Sequence, residues 1–217
     1  MLENSQTPTE IPYKAELMRK SLHLLALVIP VGMFFLGKTN SLLILVPLCL
    51  LALFLEVARV KSSKIAALVD IVFGSMMRPQ ERPSIGSPVV INGATWVLLA
   101  ATLLVFIFPV NIAAASMITF MLADAAAALI GRRFGRIKWG KLDKTVEGSF
   151  AFFVVAFVSI LFFDPLNWIE AVIIAACSAL LELVPLSLND NLYVPLFTAT
   201  LISILLIFFH QQEILFF

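Results

Sequence analysis

The chain has 217 residues, 61% hydrophobic and only 13% charged, with a mean hydropathy of +1.02. A soluble domain is about 45–50% apolar and about 25% charged, so the composition excludes one and reads as a single all-α integral membrane domain over residues 1–217. The net charge of +1 names no partner; the placement of the charges does.

Residues 1–20 form a polar arm, read as a cytosolic extension rather than a cleavable leader. Seven apolar runs follow, at 21–37, 41–58, 89–109, 111–131, 148–163, 168–186 and 192–209, so about seven transmembrane helices are expected. Lys and Arg in the short loops set the orientation. With the N-terminus inside, every one of the fifteen cations except Lys38 falls on the cytosolic side, and the C-terminus on the opposite side. Cys49 and Cys177 lie within apolar runs and read as small buried hydrophobes.

Between the second and third runs, residues 61–77 are not a span. Ile65, Leu68, Val69, Val72, Phe73 and Met76 recur at helical spacing, while Lys61, Lys64 and Asp70 fall elsewhere. This predicts one amphipathic helix in the membrane interface. The proline-rich stretch from Arg78 to Pro88 is either a wall of a site or a plain connector.

The fourth run carries Asp124. An acid near a bilayer centre costs about 2.5–3.5 kcal/mol, so it is expected to face a cavity or a partner. It lies about 10 Å below the Gly131 end of its helix, and Ala125 to Ala128 let neighbours approach. The cationic loop 132–147 comes next. Arg132, Arg133, Arg136, Lys138, Lys141 and Lys144 place six cations within thirteen residues. Together with Gly131, Gly135 and Gly140 they suit a polyanion such as a nucleoside triphosphate. Positive-inside topology and contact with anionic lipid account for the charge alone. Gly135-x4-Gly140-Lys141 is no Walker A motif, because Leu142 follows where Ser or Thr is required. Lys144-Thr145-x-Glu147-Gly148-Ser149 opens the fifth run, and a cap there would aim helix N–H groups at the same polyanion.

Three more clusters stand near the cytosolic face. Glu16, Arg19, Lys20 and His23 share one helical stripe. Glu56 and Arg59 repeat that spacing and read as an ion pair. Glu182, Asn189, Asp190 and Asn191 group acids and amides as a magnesium and hydroxyl site would, with helix capping as the plainer alternative. His210, at the far end, reads as incidental.

These segments resemble the CTP-dependent polyprenol kinases: dolichol, phytol and farnesol kinases and the CTP-dependent diacylglycerol kinase of yeasts. The resemblance is carried by Asp124-Ala125-(x5)-Gly131-(x3)-Gly135 and by Lys144-Thr145-x-Glu147-Gly148-Ser149. Glu16-Leu17-x-Arg19-Lys20-x-x-His23 and Asn189-Asp190-Asn191-Leu192-x-Val194-Pro195-Leu196 add to it. In the last segment Asn189 and Tyr193 stand where the family has Asp and Thr. The resemblance implies transfer of the γ-phosphoryl of CTP, with Mg²⁺, to a membrane lipid alcohol. The expected triphosphate contacts are Arg132, Arg133, Lys138, Lys141, Lys144, Thr145, Ser149 and Asn191, with Gly131, Gly135 and Gly140 allowing close approach. Asp124, Glu147, Asp190 and Glu182 are the expected metal ligands. Catalysis is expected from Asp124, Glu147, Asp190, Arg19, Lys20 and His23. The bilayer is the other expected partner, and nucleic acid is not. A cytidylyltransferase acting on a lipid phosphate and a non-enzymatic lipid carrier are the rival readings.

Overall fold

The computed structural model describes residues 13–74, 77, 79–140, 142, 144–186 and 188–211. The described residues are helical throughout, with no strand beyond one isolated bridge. The helices are α1 (Tyr13–Leu25), α2 (Val28–Arg59), α3 (Ser63–Phe73), α4 (Gly93–Ile107), α5 (Val110–Phe134), α6 (Val146–Leu161), α7 (Trp168–Leu183) and α8 (Asp190–His210), with a 3₁₀ turn at Pro79–Glu81.

The polar arm is helical from Tyr13, its first described residue, as the stripe of Glu16, Arg19, Lys20 and His23 requires. Together α1 and α2 would measure about 70 Å if straight, far more than one membrane thickness. The chain turns back instead. Gly37 adopts φ 70°, ψ 178° inside α2, a conformation that side chains with a Cβ rarely take. Lys38 reaches the Phe108 carbonyl at the far end of α4 (3.1 Å), whereas Glu56 accepts the Asn92 amide at its near end (2.9 Å). Lys20 also lines a cavity with Asn92. The two arms of this hairpin therefore run in opposite directions.

α5 is the axis of the bundle. α1, α2, α4, α6 and α8 all pack on it, and Ala113, Ala114, Ala115, Ala123 and Ala125 along it are buried. The local starts of the later helices are set by side-chain caps. Asn92, Thr145 and Asn189 accept from the first turns of α4, α6 and α8. Asn167 and Glu170 form a reciprocal capping box at α7. Successive helices alternate in direction, so Lys20, Asp124, Lys144, Glu182 and Asp190 gather at one end. Lys38 and the Glu170–His210 pair (2.9 Å) lie at the other.

Among the described residues, three stretches are long and apolar enough to cross a membrane: Tyr13–Arg59, Val110–Phe134 and Asp190–His210. Gly93–Ile107 and Val146–Leu161 are apolar but shorter, about 22–24 Å at 1.5 Å per residue against a hydrocarbon core of about 30 Å. They are shorter than the runs expected at 89–109 and comparable with that at 148–163.

A helix is found at Ser63–Phe73, within the stretch 61–77 expected to lie in the membrane interface. Its expected apolar stripe divides. Leu68 and Val72 are exposed, while Val69 and Phe73 turn toward the bundle, and Met76 lies outside the described residues.

Candidate active site

Lys20 comes from α1 and Asp124 from α5, and their side chains form a buried ion pair. The helical stripe carries His23 to the same acid, with Nε2 3.4 Å from Asp124 Oδ2. The His23 ring stands edge-on to Phe120 at 6.0 Å, which fixes its plane. An acid, a lysine and an imidazole thus share one point, about 15 Å inside the Phe134 end of α5.

That point opens into a cavity of about 330 Å³. Its polar end is formed by Arg19, Lys20, His23, Asp124, Asp190 and Asn191. Leu22, Ala26 and Ile29 of the first hairpin arm and Val97 and Leu98 of α4 continue it as an apolar floor. Phe73, Met77 and Glu81 close another side. The segment that sequence left between wall and connector therefore contributes to the wall. Neither Glu81 nor Asn92 was expected in the site. Asn92 carried a signal, since an Asn before Gly-Ala-Thr is a cap pattern; Glu81 carried none.

The buried Glu56 holds the near end of α4 in place. Its Oε1 accepts from the Asn92 amide and the Thr95 hydroxyl, both at 2.9 Å, and Oε2 pairs with Arg59 at 2.5 Å. Arg59 continues to the Val90 carbonyl and Met77 Sδ. The expected ion pair thus anchors the rim of the cavity.

The cationic loop lies beside this cavity rather than in it. Its arms pair through Val146 N to Ile137 O (2.8 Å) and Trp139 N to Lys144 O (3.0 Å), with Gly140 at the tip at φ +56°. The expected metal ligand Glu147 is occupied otherwise. Its oxygens accept the amides of Arg136 (2.9 Å) and Ile137 (3.4 Å). Its own backbone N–H and then the Arg136 amide hold its carboxyl below the usual carboxylate range. Ser149 accepts from the Trp139 indole at 3.0 Å, a brace within the same loop. Arg133 lies over the Phe134 ring at 5.4 Å, and Lys138 is exposed. Lys141 lies outside the described residues.

Two of the glycines also serve a purpose other than the one expected. Thr145 caps α6 through Gly148 N (3.1 Å), and its hydroxyl fills the space beside Gly131 and Gly135. A Cβ on Gly131 would sit 2.9 Å from Thr145 Oγ1, and one on Gly135 2.6 Å from Thr145 Cγ2. Their missing side chains admit a neighbouring helix rather than a phosphate.

Lys144 does not reach the cavity either. Its ammonium pairs with Glu182 Oε1 at 2.7 Å and also donates to the Glu182 carbonyl, tying the start of α6 to the end of α7. Glu182 is buried, so Lys144→Ala leaves a desolvated acid without its cation. Thermal unfolding in detergent should show a loss of about 1–3 kcal/mol, largely restored by adding Glu182→Gln. A loss that the second change leaves untouched would mean the pair is not its source. Asn189 caps α8 and accepts from the Asn191 side chain at 2.7 Å, so capping holds there while Asp190 and Asn191 still face the cavity.

Of the four expected metal ligands, Asp124 and Asp190 line one cavity; Glu147 and Glu182 are engaged elsewhere. Among the described residues no three His, Cys, Asp or Glu side chains stand together as a metal-holding set. Two carboxylates still suit Mg²⁺ arriving with a nucleotide, because that ion takes one or two carboxylates plus phosphate oxygens.

An uncharacterized protein of Rickettsia prowazekii, RP860, is 30% identical over 188 residues, covering 83% of this chain and 90% of that protein. The chain belongs to the family of that rickettsial protein. Dolichol kinase of Saccharomyces cerevisiae is 34% identical over 85 residues, which is 35% of this chain and 16% of the yeast enzyme. An uncharacterized protein of Methanocaldococcus jannaschii, MJ1137, is 35% identical over 88 residues, 40% of this chain and 44% of that protein. No family model matches the chain, and no solved structure matches it.

Proposed function

We propose that the chain is a membrane-embedded lipid-alcohol kinase that transfers the γ-phosphoryl of CTP to a polyprenol, a shorter isoprenoid alcohol or diacylglycerol. One observation carries the reading: a single cavity joins Asp124, Asp190, an imidazole and two cations at its head to an apolar floor below. A lipid alcohol has that same division, with one hydroxyl on an apolar body. The partial similarity to dolichol kinase points the same way.

Phosphoryl transfer needs little covalent participation from the protein; it needs positioning and cancellation of charge. Lys20 and Arg19 supply cations at the head of the cavity. Asp124, held by Lys20 and His23, accepts the proton of the acceptor hydroxyl. The acceptor oxygen bonds to the γ-phosphorus, the bond to the β–γ bridging oxygen breaks, and CDP leaves. Asp124 and Asp190 are the residues that would hold Mg²⁺, which would neutralise phosphate charge when bound. In this reading the chain crosses the bilayer seven times, with α3 on the cytosolic surface. All cations but Lys38 then face the cytosol, as positive-inside bias requires.

Purified protein with labelled CTP or ATP and a panel of lipid alcohols tests this. The expected products are a lipid phosphate and CDP. Release of pyrophosphate would mark a cytidylyltransferase instead. Accessibility labelling that put Lys20 and Lys141 on opposite faces of the bilayer would remove the shared pocket altogether.

A further inference from the structure

Glu16 lies one turn ahead of Lys20 on α1 and is buried, with a side chain only 5% exposed. It is ion-paired with two arginines, Arg19 one turn along α1 and Arg132 from α5. Arg19 approaches it through Nη2 (2.6 Å) and Nε (3.3 Å), a two-pronged contact. Arg132, at the end of α5, places Nη1 3.6 Å from Glu16 Oε2. The two guanidinium side chains are 22% and 24% exposed, several times more than the acid. The carboxylate therefore lies beneath, and the arginines reach over it toward the aqueous side. Arg19 also lines the cavity that holds Asp124.

Two guanidiniums brought this close repel each other unless an anion sits between them. Glu16 supplies that anion from within the fold, at a depth where solvent does little to screen it. Lysine could not substitute for either arginine, because only a planar fork can contact the acid beneath and present further N–H groups above. We infer that Glu16 is a positioning residue that turns Arg19 and Arg132 into one phosphate subsite spanning α1 and α5. This rests on the nucleotide-kinase reading for the identity of the phosphate, which belongs to the donor. It also connects the cationic loop to the cavity through Arg132.

The test is Glu16→Gln, with Glu16→Asp beside it, in the full-length protein. Two quantities are read: binding of inorganic triphosphate, and the kinetic constants for CTP and the lipid alcohol. Glu16→Gln should weaken triphosphate binding and raise KM for CTP by about tenfold or more, since each lost charge-assisted bond is worth that much. KM for the alcohol should stay within about threefold, and Glu16→Asp should recover part of the CTP affinity. If Glu16→Gln does not fold, Arg132→Gln is measured in its place and should weaken triphosphate binding likewise. Unchanged triphosphate binding, or an equal rise in KM for both substrates, would overturn the subsite. Triphosphate binding that falls as expected in a protein phosphorylating no alcohol would leave the subsite standing and remove the kinase reading.

Discussion

Replacing Asp124 by Asn is expected to reduce turnover by at least about a hundredfold, the scale of a lost proton acceptor. The same change removes the counter-charge of the buried Lys20, and breaking a buried pair costs about 3–5 kcal/mol. A drop in activity alone would therefore not separate chemistry from damage to the fold. The double variant Lys20→Met with Asp124→Asn makes that separation. It removes both charges, so the buried cation is no longer stranded and most of the stability should return. Turnover should not return, because the acceptor of the hydroxyl proton is still missing. Near-normal activity in Asp124→Asn would exclude Asp124 from the reaction. Activity that came back together with stability in the double variant would make the pair a structural link.

The meeting of Lys20, His23 and Asp124 could be anticipated because the bilayer penalises unpaired ionisable groups. A lone acid within an apolar run demands a partner. A stripe at i, i+3, i+4 and i+7 entering the membrane from the other side of the sequence offers one. Asp190 and Asn191 were expected on other grounds, the grouping of acids and amides ahead of the last span, and both line the cavity. Such reasoning failed where no periodicity constrains the backbone. Glu147 has the composition of a metal ligand, yet the path of the loop brings two amides onto its oxygens. Lys144 has the charge of a phosphate contact, yet it lies within reach of Glu182, a proximity that exists only once α6 and α7 have packed. Glu81 reaches the cavity from an irregular stretch that leaves no pattern to read.

The spans show the same division. Apolar runs locate α5 and α8 to within about three residues, because their ends coincide with polar residues. The hairpin of α1 and α2 was foreseen as two spans joined over residues 38–40. The reversal turns instead on Gly37, and α1 covers the described part of the polar arm from Tyr13 on. The burial of those polar turns has a cause in the bundle. Glu16 and Arg19 are satisfied by each other and by Arg132, so the first turns are polar in sequence and buried in the fold.

Gly148→Ala is expected to destabilise the protein by about 1–3 kcal/mol, the range for an overpacked contact. The sign is informative, because Gly148 lies in the first turn of α6. Ala in place of Gly there should by itself favour the helix by up to about 1 kcal/mol. Against that stands the joint with α5. A Cβ on Gly148 would come 2.9 Å from the Ala127 carbonyl oxygen, 3.0 Å from Thr145 Oγ1 and 3.3 Å from Gly131 Cα. Two of those atoms are backbone, so relief requires the helices to separate. Gly148 was not among the glycines expected to cradle phosphate, whereas Gly140 was, and a Cβ on Gly140 meets nothing within 4 Å. If the glycines serve helix packing, Gly148→Ala should lower the unfolding temperature in detergent by several degrees. Gly140→Ala should then bear only the local strain of its positive φ and leave KM for CTP near its original value. If they serve a phosphate, the order reverses: Gly148→Ala would be neutral or stabilising, and Gly140→Ala would raise KM. The close approach of α5 to α6 also carries Asp124 and Arg132 on one helix, so a joint forced open at Gly148 should weaken turnover as well as stability.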